Sequence, residues 1–175
     1  MGLEECVGDP FVRMMYKDEI VFVGEIPAGV KDVKIDLKAG GDVDVQVYDP
    51  TDKYNVYMKK SFDEGRAIIG WCGDQNVGVG CNLGILNGQG DGEEMMCTNY
   101  GGAEYCYIGY DGFLVNGARD PGYESIEIRG TTDRPIMFAA YGYVGGNARI
   151  SYTFWHPEDP NYQATEAPTL PPRTM

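Results

Sequence analysis

Four aspartates crowd one stretch: Asp42, Asp44, Asp49 and Asp52, within "GGDVDVQVYDPTD". Calcium takes roughly 6–8 oxygen ligands, so carboxylates beside a turn with free carbonyls are the first candidate metal ligands. Asp42 and Asp44 are two apart, which on an extended chain puts them on one face. No D-x-[DN]-x-[DN]-G loop ends in a glutamate, so the helix–loop–helix calcium motif is absent. The same aspartates alternate with Val43, Val45 and Val47. The simpler expectation is therefore a β-strand, with Asp42, Asp44 and Tyr48 on its wet face.

Catalytic chemistry finds poor material. The single histidine, His156, stands where a proline-rich tail begins, and is expected at the surface. A Ser-His-Asp or Cys-His arrangement would thus have one poorly placed base. The acids Glu93 and Glu94 could form a hydrolytic pair, but they sit in a glycine-rich run without rigid support. "GILNGQGDGEE" lacks the Lys and Ser/Thr of a phosphate loop. Trp71 and Trp155 could be sugar-stacking platforms, but each ends an apolar run, which favours packing in the core or at an edge. No enzymatic activity is expected.

Five cysteines, Cys6, Cys72, Cys81, Cys97 and Cys106, include two C-x8-C pairs. Structural zinc sites favour shorter spacings, so disulfides fit better. "MMCTNYGGAEYCYIGY" reads as a hairpin with its turn at 99–103 and a cysteine on each arm. The expected bonds are Cys72–Cys81 and Cys97–Cys106. Cys6 is left free or joined to another chain. Disulfides imply an extracellular, oxidising setting; the alternative is five reduced thiols in the cytosol.

The formal net charge is −13. No basic run exists to displace counterions from nucleic acid, and an anionic membrane would repel the chain. The acids serve solubility or cation binding. No apolar run reaches the ~18 residues of a membrane span. "MGLEECVGDP" lacks the pattern of a secretion signal, so for a secreted protein a mature form or a segment is expected.

The elements that must position these residues are strands. The 25 glycines and 13 tyrosines favour short strands and tight turns. "KDVKIDLKAGG" sets Val33, Ile35 and Leu37 against Lys34, Asp36 and Lys38. "YESIEIRGTT" sets Ile126 and Ile128 on one face, and "NARISYTFWH" alternates Ala148, Ile150, Tyr152 and Phe154 with polar residues. With "DEIVFVGEIP", "RAIIGW" and "RPIMFAAYGYVGG", this predicts an all-β fold. The architecture expected is an antiparallel β-sandwich or jelly roll of about eight strands.

Three zones follow. Residues 1–18 form an N-terminal arm, 19–155 the body, and 156–175 a tail holding five of the ten prolines. The tail is expected to be extended, as a linker or as a stalk O-glycosylated at Thr165, Thr169 and Thr174. The arm carries the apolar run Phe11, Val12, Met14, Met15 and Tyr16. It either covers its own body or adds a strand to a neighbouring copy.

"GEIPAGVKDVKIDLKAGGDVDVQVYDPTD" resembles the opening of bacterial pre-peptidase C-terminal (PPC) domains, which are secreted β-sandwich modules. The chain also resembles tandem-repeat relatives of these in large secreted proteins of microbial eukaryotes. That likeness rests on Ala67 to Trp71, Gly84 to Gly90, Tyr107 to Phe113 and Pro121 to Trp155, and covers about residues 19 to 155. It implies fold more than function. Residues 51–65 and 72–81 depart from it as enlarged loops.

The reading is an extracellular structural module that assembles head to tail with copies of itself through its arm, tail or edge strands. The alternative is a module binding carbohydrate or protein, with calcium as a candidate cofactor.

Overall fold

The computed structural model describes residues 3–52, 54, 67–70, 95–110, 114–115, 118–119 and 122–157. Trp71, Cys72, Cys81, Glu93, Glu94, Thr165, Thr169 and Thr174 lie outside them, as does most of the enlarged loop 51–65. The chain is almost all β. In order, the strands are β1 (Leu3–Val7), β2 (Phe11–Met15), β3 (Ile20–Ile26), β4 (Lys31–Ala39), β5 (Asp42–Tyr48) and β6 (Ile69–Gly70). Then come β7 (Met96–Tyr100), β8 (Ala103–Tyr110), β9 (Leu114–Val115), β10 (Ala118–Arg119), β11 (Gly122–Thr131) and β12 (Ile136–Pro157). All but β9 and β10 join one curled sheet, and every pairing is antiparallel.

The organising element is β12, 22 residues long. The sequence pattern splits it into two strands at Gly145-Gly146, but the structure continues it through a bend. Gly142 and Gly145 make the bend passable. A Cβ on Gly142 would lie 2.1 Å from the carbonyl oxygen of Tyr16, and Gly145 has φ +103°. Glycine alone tolerates both conditions without strain. Before the bend β12 runs between β3 and β5; after it, between β4 and the pair β1–β2.

The arm is therefore part of the sheet. β1 pairs with 153–157 and β2 with 146–150 of β12, and the Gly8 amide donates to the Tyr152 carbonyl between them at 3.1 Å. Of the five expected contact residues, Met15 is buried and Phe11 packs against the core. Only Val12, Met14 and Tyr16 remain exposed.

One main apolar cluster gathers inward residues from both parts of the sheet. Val33, Ile35 and Leu37 of β4, Ile126 and Ile128 of β11, and Ala148, Ile150 and Phe154 of β12 meet Val43, Val45 and Val47 of β5. A second cluster, Tyr48, Ala67, Met137 and Ala139 with Ile20 and Phe22, covers the other face around β5. This corrects the solvent-face expectation for β5. Asp44, Gln46 and Tyr48 are buried and Asp42 is half-buried, because a second apolar layer lies where alternation predicts water.

Candidate assembly edge and the residues around it

β1 and β2 form the margin of the sheet beyond β12. Among the described residues β12 is their only strand partner, and no described strand pairs with the backbone donors and acceptors of their other side. Apolar side chains accompany that open edge. Val7 is 64% exposed and Val12 63%, with Leu3, Met14 and Tyr16 also exposed. Glu19 closes the turn that follows. It accepts from the Tyr16 amide at 3.2 Å and pairs with Arg13 at 2.8 Å.

Cys6 lies in register with Phe154, half-buried against the core, and its thiol is free. Burial, and after it the charge of Glu4, push the thiol above its ordinary range. It is thus held protonated at neutral pH, which slows attack on another sulfur.

The opposite margin is β7. Cys97 and Cys106 face each other in the β7–β8 register and are disulfide-bonded. Arg129 of β11 braces the same place, donating to Glu127 at 3.0 Å and Glu104 at 3.3 Å. Among the described residues, Cys97, Glu104 and Cys106 gather their ligand atoms within 4.8 Å, but the disulfide occupies both sulfurs.

The four aspartates do not form one group. Asp42 and Asp49 stand at opposite ends of β5, roughly 23 Å apart at a strand's rise per residue. Asp44 is buried between them. Asp49 accepts from both the amide and the hydroxyl of Thr51, at 2.9 and 2.8 Å, shaping the turn after β5. Asp52 ends the short 3-10 turn Pro50–Asp52.

His156 is a correction too. It is buried rather than at the surface, because β12 extends to Pro157 and β1 lies alongside with Glu4 opposite. Its ring stands 6.5 Å from that of Phe154. Trp155 is 37% exposed, opposite Glu5 on the edge.

Sequence reasoning missed one buried acid, Glu124. Its carboxylate accepts from the Val45 amide at 2.7 Å and, through its other oxygen, from the Tyr107 hydroxyl. Among the described residues no strand pairs with Val45 on the β6 side, and Glu124 supplies an acceptor for its amide. The signal was present: Glu124 is in phase with Ile126 and Ile128, on the face that alternation assigns to the core.

No family model matches the chain, and no curated protein is similar to it.

Proposed function

We propose that this chain is a non-catalytic structural module of the extracellular space, a PPC-like sandwich whose copies join head to tail along the β1–β2 edge. The observation that carries this reading is the open edge itself, with Val7, Val12, Met14 and Tyr16 exposed along it. Natural sheets usually blunt an edge with charges, prolines or a covering element. Here Glu4, Glu5 and Arg13 supply some charge, which disfavours β1 against its own copy and favours a different edge as the acceptor. A heterologous contact of that kind does not close, and so gives an open fibre. The Cys97–Cys106 disulfide supports an oxidising compartment. The sandwich is supported by the main apolar cluster that both parts of the bent sheet share.

The test is electron microscopy and sedimentation of the purified protein near neutral pH, beside the double variant Val12→Glu/Met14→Glu, which charges the edge while setting an opposite charge beside Arg149. Both side chains are exposed, so the variant should melt with the wild type. The wild type should form fibres and the variant should sediment as a monomer. A wild type that stays dispersed, or a variant that polymerises equally well, overturns the reading.

A further inference from the structure

The outward face of the sheet carries one arrangement that neither the assembly edge nor the core explains. Register aligns Val12, Arg149, Lys38 and Tyr123 in a row across β2, β12, β4 and β11. The next row holds Ser151, Asp36 and Ser125. Directly opposed residues on neighbouring antiparallel strands have Cβ atoms about 5 Å apart, so Arg149 and Lys38 are like charges placed side by side. Such a pair is unfavourable for folding. Neither side chain makes a hydrogen bond or ion pair with a described residue. Arg13, Arg129 and Arg134 each hold a carboxylate, so among the described arginine side chains Arg149 stands apart, in a chain of net charge −13.

Arg149, Lys38 and Tyr123, with the row Ser151, Asp36 and Ser125, line a shallow groove of about 460 Å³. Its floor joins the two cations to Tyr123, 43% exposed, and to Asp36, Ser125 and Ser151. The Ser125 hydroxyl donates to Asp36 at 2.8 Å, which holds that carboxylate in place.

We infer that this groove binds an acidic saccharide. Two cations without a partner among the described residues suit a carboxylate or sulfate group, and guanidinium in particular grips such an anion through paired N–H donors. Tyr123 offers an aromatic face for a sugar ring. Asp36 is an acceptor beside the basic pair. It repels a bare anion but accepts from hydroxyl donors, so the set fits a ligand carrying both hydroxyls and acid groups. Ser125 and Ser151 complete the polar floor.

The test is calorimetry with the full chain and four probes: an oligogalacturonate, a sulfated oligosaccharide, a neutral glucan of equal length, and inorganic sulfate. Binding of either acidic saccharide, and not of the neutral glucan or sulfate, is the expected result. The responding probe tells carboxylate from sulfate as the anionic group. Lys38→Gln/Arg149→Gln should weaken binding roughly tenfold or more, the scale of lost charge-assisted hydrogen bonds. Tyr123→Ala should weaken it roughly 3- to 10-fold. The double variant relieves a like-charge pair, so its melting temperature should not fall; should it fail to fold, Lys38→Gln alone serves. Silence from both acidic saccharides, equal binding of the neutral glucan or sulfate, or unchanged binding by the variants overturns the proposal.

Discussion

Two margins of the large sheet, β7 and β1–β2, are held by different means. At β7 a disulfide ties the outermost strand to its neighbour, and Arg129 bridges Glu104 and Glu127 across the adjacent strands. At β1–β2 the thiol of Cys6 is free, and the strands rest on β12 through backbone pairing and three inward side chains, Cys6, Phe11 and Met15. Exposed apolar residues run along the second margin, and Cys6 there stays a thiol. Non-covalent attachment makes β1–β2 the margin that can open or exchange, because local stability follows buried contact rather than strand count.

That contrast breaks most visibly at Met15. Its side chain is 1% exposed, beside the bend of β12. Met15→Ala should destabilise the protein by about 2–5 kcal/mol, the usual cost of emptying a buried site of this size. Thermal unfolding measures it, and hydrogen exchange should show amides of residues 3–15 losing protection ahead of those in β7 and β8. Uniform loss would mean that the two margins unfold as one unit.

The opposite margin should respond less. Cys97→Ser/Cys106→Ser removes a short cross-link, worth about 2–3 kcal/mol by its effect on the unfolded chain. Denaturant titration of this variant should show the loss with little change in native exchange at β1–β2. A larger loss of protection at β1–β2 than at β7 would invert the comparison.

The two margins also differ in how far the sequence discloses them. The hairpin and its cysteine pair are local, and a turn between matched arms places Cys97 opposite Cys106 without any knowledge of the rest of the fold. β4 and β11 are equally legible, since each has one wet face and alternation reports it. β5 misleads because both of its faces are covered, and a strand in that position can bury an aspartate where a polar partner is at hand. The bend of β12 misleads in the opposite way. Gly145-Gly146 has the composition of a turn, yet positive φ here serves a strand that changes neighbours. The seating of the arm on β12 joins residues far apart in the chain, and no local pattern announces it. Glu124 was readable in principle, because an acid in phase with two isoleucines needs a buried donor. The groove over Arg149, Lys38 and Tyr123 needs the register of three strands, which composition does not supply.

The smallest effect at neutral pH is expected at Tyr105, on the inner side of the β7–β8 hairpin. Its ring meets that of Tyr100 edge-on at 5.6 Å, and its hydroxyl is buried without a hydrogen-bond partner among the described residues. Burial, then the charge of Asp133, push its ionisation up from 10.0 to about 12. Tyr105→Phe deletes an unsatisfied polar atom and keeps the ring, so stability near pH 7 should change by about 1 kcal/mol or less, in the stabilising direction. Alkali separates the two proteins. The unfolded chain releases the Tyr105 proton near pH 10, while the folded chain keeps it to about 12. The wild type therefore holds its full contribution below pH 10 and loses it as pH climbs towards 12, by an amount on the order of 2–3 kcal/mol. Urea unfolding at pH 9 and pH 11.5 reads the difference, and titrations common to both proteins cancel. Parallel pH profiles for wild type and Tyr105→Phe would mean that the hydroxyl reaches water in the folded state, and that the hairpin margin is less closed than the disulfide suggests.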